Sequence, residues 1–403
     1  MISCLDSRYS HQLNDIKPFL GDEAFMYYMS VWSLSYAEIT NENVFLRLYD
    51  NREELYERVK KYEIDTKHQM TALLKVLQKD YPSVQFHIGL TSEDIMHNAR
   101  SLQTNLIIEK IHQQISYIDE QLNRITTPIT FPILAHTHGQ PATPIELSPY
   151  LRAKCRDIFM SKANYRLGGS NGQLTILKQM SKGTDFDKLG EYWLKKTSEK
   201  LRNSFVFDDS SMIVPNDKIG LLQVGPHNDA TYLSGMAMTL KFRALARAFW
   251  DHASRGILKV STGVYQTGSS AMPTKVNPIL FENAEGCFTI AYNTFQTALE
   301  ANCDSRGLRD LSNSIVNRQV LDGWAFLYLG LKGIVKGMEQ ADYNAEACYK
   351  ELNDHPECLG ELLRYYIIEN SDDGKDPYFE IKNNPPKNFQ DTLDRMPGWE
   401  FKW

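Results

Sequence analysis

Residues 99–125 read ARSLQTNLIIEKIHQQISYIDEQLNRI, with apolar positions at Leu102, Leu106, Ile111, Ile115, Ile118, Leu122 and Ile125. After Ile111 the spacing alternates four and three residues, which draws one continuous stripe down a long helix. Tyr232 to Trp250, Ile279 to Ala301 and Val320 to Met338 are similarly long and strongly apolar. Helices of this length need partners, and a stripe at near-heptad spacing favours a bundle. Their apolar content exceeds what one amphipathic face requires, so several are expected to be buried between subunits. Strand-like alternation is scarce; Phe205 to Val214 is the best candidate. The pattern predicts an all-α fold.

The bulk composition narrows the function classes. The chain has 403 residues, 42% apolar and 23% charged, ordinary values for a globular protein with a large core. Its formal net charge of −6, with no basic cluster, gives no indication of a nucleic-acid partner. No apolar run approaches the length of a membrane span, and the start MISCLDSRYS has no basic-then-apolar leader pattern. Cys4, Cys155, Cys287, Cys303, Cys348 and Cys358 are scattered without a CxxC pair, as expected for reduced thiols in a cytoplasmic protein. Breaks near 128–132, 168–172 and 215–226 read as loops at helix ends. The last thirty or so residues, with Asn383-Asn384-Pro385-Pro386 and Met396-Pro397-Gly398-Trp399, read as a small irregular region.

Four clusters carry chemistry. Gly268-Ser269-Ser270-Ala271-Met272-Pro273-Thr274-Lys275-Val276-Asn277-Pro278 opens with small hydroxyl residues, suited to a loop that closes. It continues with a cation and an amide able to hold a carboxylate. It ends on Asn277-Pro278, a cap residue and a first-turn proline, so the loop sits at a helix N-terminus that favours anions. His136-Thr137-His138 lies in a Gly- and Pro-bounded loop between helices, and histidine is the natural acid or base near neutral pH. With no carboxylate or thiol nearby in sequence, a metal is not expected there. Phe86-His87-Ile88-Gly89-Leu90-Thr91-Ser92-Glu93-Asp94 precedes the striped helix and offers hydroxyls with an acidic cap. Arg306, Arg309 and Arg318 interleave with Ser312 and Ser314, a set suited to phosphate or carboxylate recognition.

The loop GSSxMPxKxNP resembles the signature of the fumarase/aspartase superfamily. Further stretches resemble the adenylosuccinate lyase family, its bacterial subgroup in particular. They are Leu5-Asp6-Ser7-Arg8-Tyr9, Lys67-His68, Thr91-Ser92-Glu93-Asp94, Thr137-His138-Gly139-Gln140-Pro141 and Gln223-Val224-Gly225-Pro226-His227. Phe281-Glu282-Asn283 and Arg309-Asp310-Leu311 complete the set. The resemblance implies an all-α, fumarase/aspartase-like fold with domains at 1–97, 98–338 and 339–403, the middle one a long-helix bundle. It implies a homotetramer with active sites shared between subunits, and no cofactor or metal. The implied reaction eliminates fumarate from adenylosuccinate, giving AMP, and from its imidazole carboxamide precursor. Ser269 is implied as the base, His138 as the acid, His68 as an orienting or substrate-contacting group, and Lys275 with Asn277 as holders of the developing charge. Arg8, Tyr9, Arg309, Ser314 and Arg318 map onto phosphate or ribose contacts. Lys67, Gln69, Thr91, Ser92, Thr137, Gln223, Ser270, Val276 and Asn283 complete the substrate-binding set. Gln69, Thr274, Gly225 and Asn313 depart from the subgroup's pattern, and the C-terminal region is shorter. The alternatives are a related lyase for another succinyl nucleotide, or a catalytically silent member.

Overall fold

A computed structural model of the chain describes all residues except 1–2, 42, 181–184, 203–212, 216–227, 263–268, 270, 304–305, 308–309, 373 and 400–403. The elements follow in order: α1 (Gly21–Thr40), α2 (Arg52–Thr66), α3 (Gln69–Asp80), α4 (Ser92–Thr126), β1 (Ile133–Thr137), β2 (Gln140–Ile145) and α5 (Leu147–Lys154). Then come β3 (Tyr165–Leu167), α6 (Thr175–Met180), α7 (Phe186–Leu201), β4 (Ile213–Pro215), α8 (Asp229–Ser254) and β5 (Leu258–Val260). The chain continues through α9 (Ile279–Cys303), α10 (Ser312–Glu339), β6 (Ala341–Tyr343), α11 (Ala345–Asp354), α12 (Gly360–Asn370), α13 (Tyr378–Asn383) and α14 (Phe389–Asp394). The expected long helices are present as α4, α8, α9 and α10, and the fold is all-α, its strands among the described residues forming two-stranded pairs only.

The chain divides into two units, and four of the five divisions fall inside those helices, the fifth lying between Asp157 and Ile158. The first unit comprises Met1–Gln114, Ile158–Leu240 and Cys287–Leu329. Its core is built on α1, which is buried almost all round from Ala24 to Ala37 and therefore has no polar face. Trp193 of α7 meets the Trp32 ring edge-to-face at 5.1 Å, and its indole N–H donates to the Trp32 carbonyl at 3.0 Å.

One face of α4 does an unusual job in this unit. Asp94, Asn98 and Asn105 are fully buried and turn their polar ends to the segment 163–169. Asn98 accepts from the Arg166 N–H at 2.7 Å and donates to the Arg166 carbonyl at 3.0 Å. Asn105 repeats the pattern with Ala163 at 2.7 and 3.0 Å. Helical i, i+7 spacing thus puts side-chain amides where a strand neighbour would offer backbone groups. The far side of the same segment, Tyr165–Leu167, pairs in parallel with β4. Of the expected strand at Phe205 to Val214, only Ile213 and Val214 fall among the described residues, and both lie in β4.

The second unit comprises Ile115–Asp157, Lys241–Gly286 and Gly330–Trp403. The expected His136–His138 loop is instead the tip of a hairpin, β1 against β2, with Thr137 opposite Gln140. His138 and Gly139 both have positive φ, 54° and 74°, as a tight two-residue turn requires. The sequence Pro132 to Pro141 argued for a loop because Pro is depleted in strands, but a lone two-stranded ribbon is all edge and tolerates it. The last thirty or so residues, expected to be irregular, include two short helices, α13 and α14, among otherwise irregular described residues. Asn344 and Asn388 cap α11 and α14 by accepting the Ala347 and Asp391 N–H groups at 3.1 and 2.8 Å, so short helices start without long periodic runs.

His252 of α8 lies fully buried in this unit, with Nδ1 2.6 Å from the Tyr343 hydroxyl. Burial, with Arg255 also close by, pushes its imidazole down to about 4. In the unfolded chain this group binds a proton near pH 6.5, whereas the folded one refuses it until about pH 4. Stability is therefore expected to fall by roughly 1 kcal/mol per pH unit between those limits from this residue. The acid-side slope of thermal unfolding should flatten in His252→Gln, and an unchanged slope would remove the assignment.

Candidate active site

The α2–α3 junction, the start of α4 and the start of α10 wall a cavity of about 340 Å³ in the first unit. From the junction come Glu63, Lys67, His68 and Gln69; from α4 come Thr91, Ser92, Glu93, Met96 and Arg100; from the α10 end come Leu311, Ser314, Asn317 and Arg318. Each wall is fixed by capping chemistry. Lys67 ends α2 in the left-handed region at φ 51°, its N–H donating to the Glu63 carbonyl at 2.8 Å. The next residue, His68, caps α3: its Nδ1 accepts the Thr71 N–H at 3.3 Å. An acceptor Nδ1 leaves Nε2 as the protonated nitrogen of the neutral ring, so the edge of His68 free for a ligand is a donor.

Thr91 and Ser92 are set by Asp94, which accepts the Thr91 N–H at 2.8 Å and the Gly168 and Gly169 N–H groups at 2.8 and 3.0 Å. Asp94 also pairs with the buried Arg166 at 3.2 Å. It sits at the third helical position and closes the start of α4 as the acidic half of a capping box. Its carboxylate is thus consumed by structure rather than offered to the cavity. Ahead of it, Gly89 holds φ +69°, and a Cβ there would stand 2.2 Å from Leu177 Cγ. Gly89→Ala is expected to cost about 2–4 kcal/mol, the left-handed penalty plus overpacking, measurable by urea unfolding.

The remaining walls are polar. Arg318 Nη1 donates to Ser314 Oγ at 2.7 Å, one helical turn earlier. Arg100 lies beside Glu93 at 3.9 Å and over the Phe25 ring at 4.7 Å. Gln69 Oε1 is buried in the wall without a hydrogen-bond partner among the described residues. The cavity therefore offers cations from Lys67, Arg100 and Arg318 beside the carboxylates of Glu63 and Glu93, donors from His68 and the hydroxyls, and the waiting acceptor of Gln69. That set fits an anionic ligand carrying donor groups.

Of the residues expected from sequence, the cavity brings together Lys67, His68, Gln69, Thr91, Ser92, Ser314 and Arg318. Arg8 and Tyr9 belong to the same unit but do not line it; the Arg8 guanidinium stands 6.0 Å from the Tyr9 ring. Thr137, His138, Ser269, Lys275, Val276, Asn277 and Asn283 belong to the second unit. There Thr137 and His138 are exposed at the hairpin tip, Lys275 and Val276 are exposed, Asn277 is half-buried, and Asn283 is exposed on the second turn of α9. Ser269 is half-buried, and its Oγ accepts the Ala271 and Met272 N–H groups at 3.3 and 3.1 Å. Gln223, Ser270 and Arg309 lie outside the described residues. The helix after the loop starts at Ile279 as expected, but Pro278 rather than Asn277 supplies the first carbonyl, accepting the Phe281 N–H at 3.0 Å and the Glu282 N–H at 3.3 Å.

Arg100 and Asn317 escaped the sequence reading. Both follow helical spacing from residues it did find, Arg100 eight after Ser92 and Asn317 three after Ser314, so the period alone would have put them on the same faces. Among the described residues no group of three or more His, Cys, Asp and Glu side chains could hold a metal ion, and no helix is long and apolar enough to cross a membrane.

Known structures share this architecture. A fumarate lyase from Mesorhizobium sp. BNC1 aligns with a TM-score of 0.65 over 95% of this chain and 89% of that one, at 14% identity. A 3-carboxy-cis,cis-muconate lactonizing enzyme from Pseudomonas putida gives 0.63 over 88% and 80%, at 15% identity. The all-α architecture of this chain is the fold that these two structures share. In sequence the chain is similar to adenylosuccinate lyases. It is 25% identical to that of Legionella pneumophila strain Philadelphia 1 over 404 residues, spanning 90% of this chain and 84% of the relative. It is 26% identical to that of Escherichia coli K12 over 352 residues, spanning 81% and 72%. No family model matches the chain.

Proposed function

We propose that the chain is a lyase of the adenylosuccinate type, eliminating fumarate from adenylosuccinate to leave AMP. The observation that carries the reading is the cavity. Residues named from three distant stretches of sequence, Lys67 to Gln69, Thr91 with Ser92, and Ser314 with Arg318, line one cavity. The similarity to adenylosuccinate lyases supports the same reading.

In this mechanism Ser269 takes the Cβ proton of the succinyl group. A serine oxygen is a poor base unless its alkoxide is stabilised, and the two backbone N–H groups that Ser269 Oγ accepts supply that stabilisation. Lys275 and Asn277 hold the carboxylate charge that grows as the carbanion forms. The electron pair then closes the double bond of fumarate while the C–N bond breaks, and His138 delivers a proton to the departing nitrogen. Arg318 and Ser314 take the phosphate, and the Nε2 donor of His68 with Gln69 orients the substrate. Of the proposed catalytic set only His68 lines the cavity, so the proposal includes a homotetramer whose other copies complete each site. The imidazole carboxamide precursor is proposed as a second substrate.

The test sets adenylosuccinate against its dephosphorylated nucleoside, argininosuccinate, aspartate and malate, with fumarate release as the readout. Turnover of adenylosuccinate, with at least a hundred-fold lower kcat/KM for the nucleoside, is expected from loss of the Arg318 contacts. Release from argininosuccinate or malate instead would overturn the reading.

A further inference from the structure

Three asparagines stand where α9 ends and α10 begins, and all are buried: Asn302 at 6% exposure, Asn313 at 6% and Asn317 at 5%. Asn302 Nδ2 donates to Asn317 Oδ1 at 3.0 Å. Asn302 Oδ1 accepts from Asn313 Nδ2 at 2.9 Å and from Asn317 Nδ2 at 3.3 Å. A single amide on the last turn of α9 thus holds two successive turns of α10.

The placement bears on the cavity. Asn313 and Asn317 are one helical turn apart on one face of α10, and Ser314 and Arg318 follow each by one residue, about 100° around the axis. Once the asparagine face is pinned, the cavity face is fixed with it, and Ser314, Asn317 and Arg318 all reach the cavity wall. Asn302 stands one residue before the end of α9 at Cys303, and α10 begins at Ser312, so the asparagine contacts tie together two separate elements.

Stability alone does not account for such a network. A buried amide cluster gains little over apolar side chains of equal volume. Here Asn313 Oδ1 is left buried without a partner among the described residues, which is a cost. A buried asparagine is well suited to fixing register, because any shift of one helix against the other breaks several hydrogen bonds at once.

We propose that Asn302 is a positioning residue of the candidate site. Through Asn313 and Asn317 it sets the rotation of α10 that presents Ser314 and Arg318 to the phosphate of the ligand. The inference rests on the proposed function for the identity of that ligand. It acts on binding rather than on the chemical step, since it touches neither the proton to be removed nor the bond to be broken.

Asn302→Leu in the full-length protein tests it, with Asn302→Asp as the conservative partner whose carboxylate still accepts from both Nδ2 groups. The expected result for Asn302→Leu is a KM for adenylosuccinate about tenfold higher, with kcat within about twofold and circular dichroism unchanged. Asn302→Asp should recover most of that KM. Calorimetric titration with AMP, which does not depend on turnover, should show the same weakening. An unchanged KM and AMP affinity in a folded Asn302→Leu would overturn the inference, as would a fall in kcat with KM unmoved. Should Asn302→Leu not fold, Asn302→Ser carries the same expectation with a smaller KM rise. A parent protein that binds AMP but does not cleave adenylosuccinate would remove the proposed reaction and leave the AMP comparison to decide the role of Asn302. A parent that does neither would end both.

Discussion

Ser269→Ala is expected to lower kcat for adenylosuccinate by about a thousand-fold, with little change in KM or melting temperature. The hydroxyl is half-buried, and among the described residues its hydrogen bonds run only to the Ala271 and Met272 N–H groups, so its loss leaves two loop donors that water satisfies. What disappears is the oxygen those donors stabilise as an anion. Removal of the Cβ proton then has no base, and a base contributes only to the transition state, which is why kcat and not KM should carry the loss. The measurement is steady-state fumarate release by parent and variant at matched protein concentration. A variant keeping more than about a tenth of the parent rate would show that the base lies elsewhere.

Asp94→Ala is the largest expected stability effect, about 3–5 kcal/mol. Asp94 and Arg166 are both buried, at 0% and 2% exposure, and their 3.2 Å pair is taken wholly out of water. Truncation leaves the Arg166 guanidinium without that counter-charge and strips the Thr91, Gly168 and Gly169 N–H groups of their acceptor. Asp94→Asn keeps an acceptor and should cost about half as much. Urea unfolding of both variants decides the matter, and a loss under about 1 kcal/mol for Asp94→Ala would mean that the pair is not the anchor described. Because the same carboxylate sets Thr91 and Ser92, activity should fall with stability.

The long helices were legible because their cause is local: a stripe of one period over twenty or more residues leaves few alternatives. The hairpin at His138 was not. Prolines on both sides and a glycine at the tip argue for a loop when read locally, while the pairing of Thr137 with Gln140 is a geometric fact about a tight turn. The ladder from Asp94, Asn98 and Asn105 to residues 163–169 was illegible for a different reason. Its partners lie some sixty or seventy residues downstream, and polar residues on a helix ordinarily signal an exposed face. The candidate site was half legible. Side chains that can touch a ligand announced themselves as Lys67, His68, Thr91 and Ser92. One that aligns them, Asn302, carries no chemistry of its own and shows only in packing.

The central claim is that the purified chain converts adenylosuccinate to AMP and fumarate. The direct measurement is the ultraviolet change as the succinyl group leaves the purine, checked by chromatography of both products in equal amounts. The account predicts saturable conversion that is lost in Ser269→Ala. A folded, homotetrameric protein that leaves adenylosuccinate intact would contradict it.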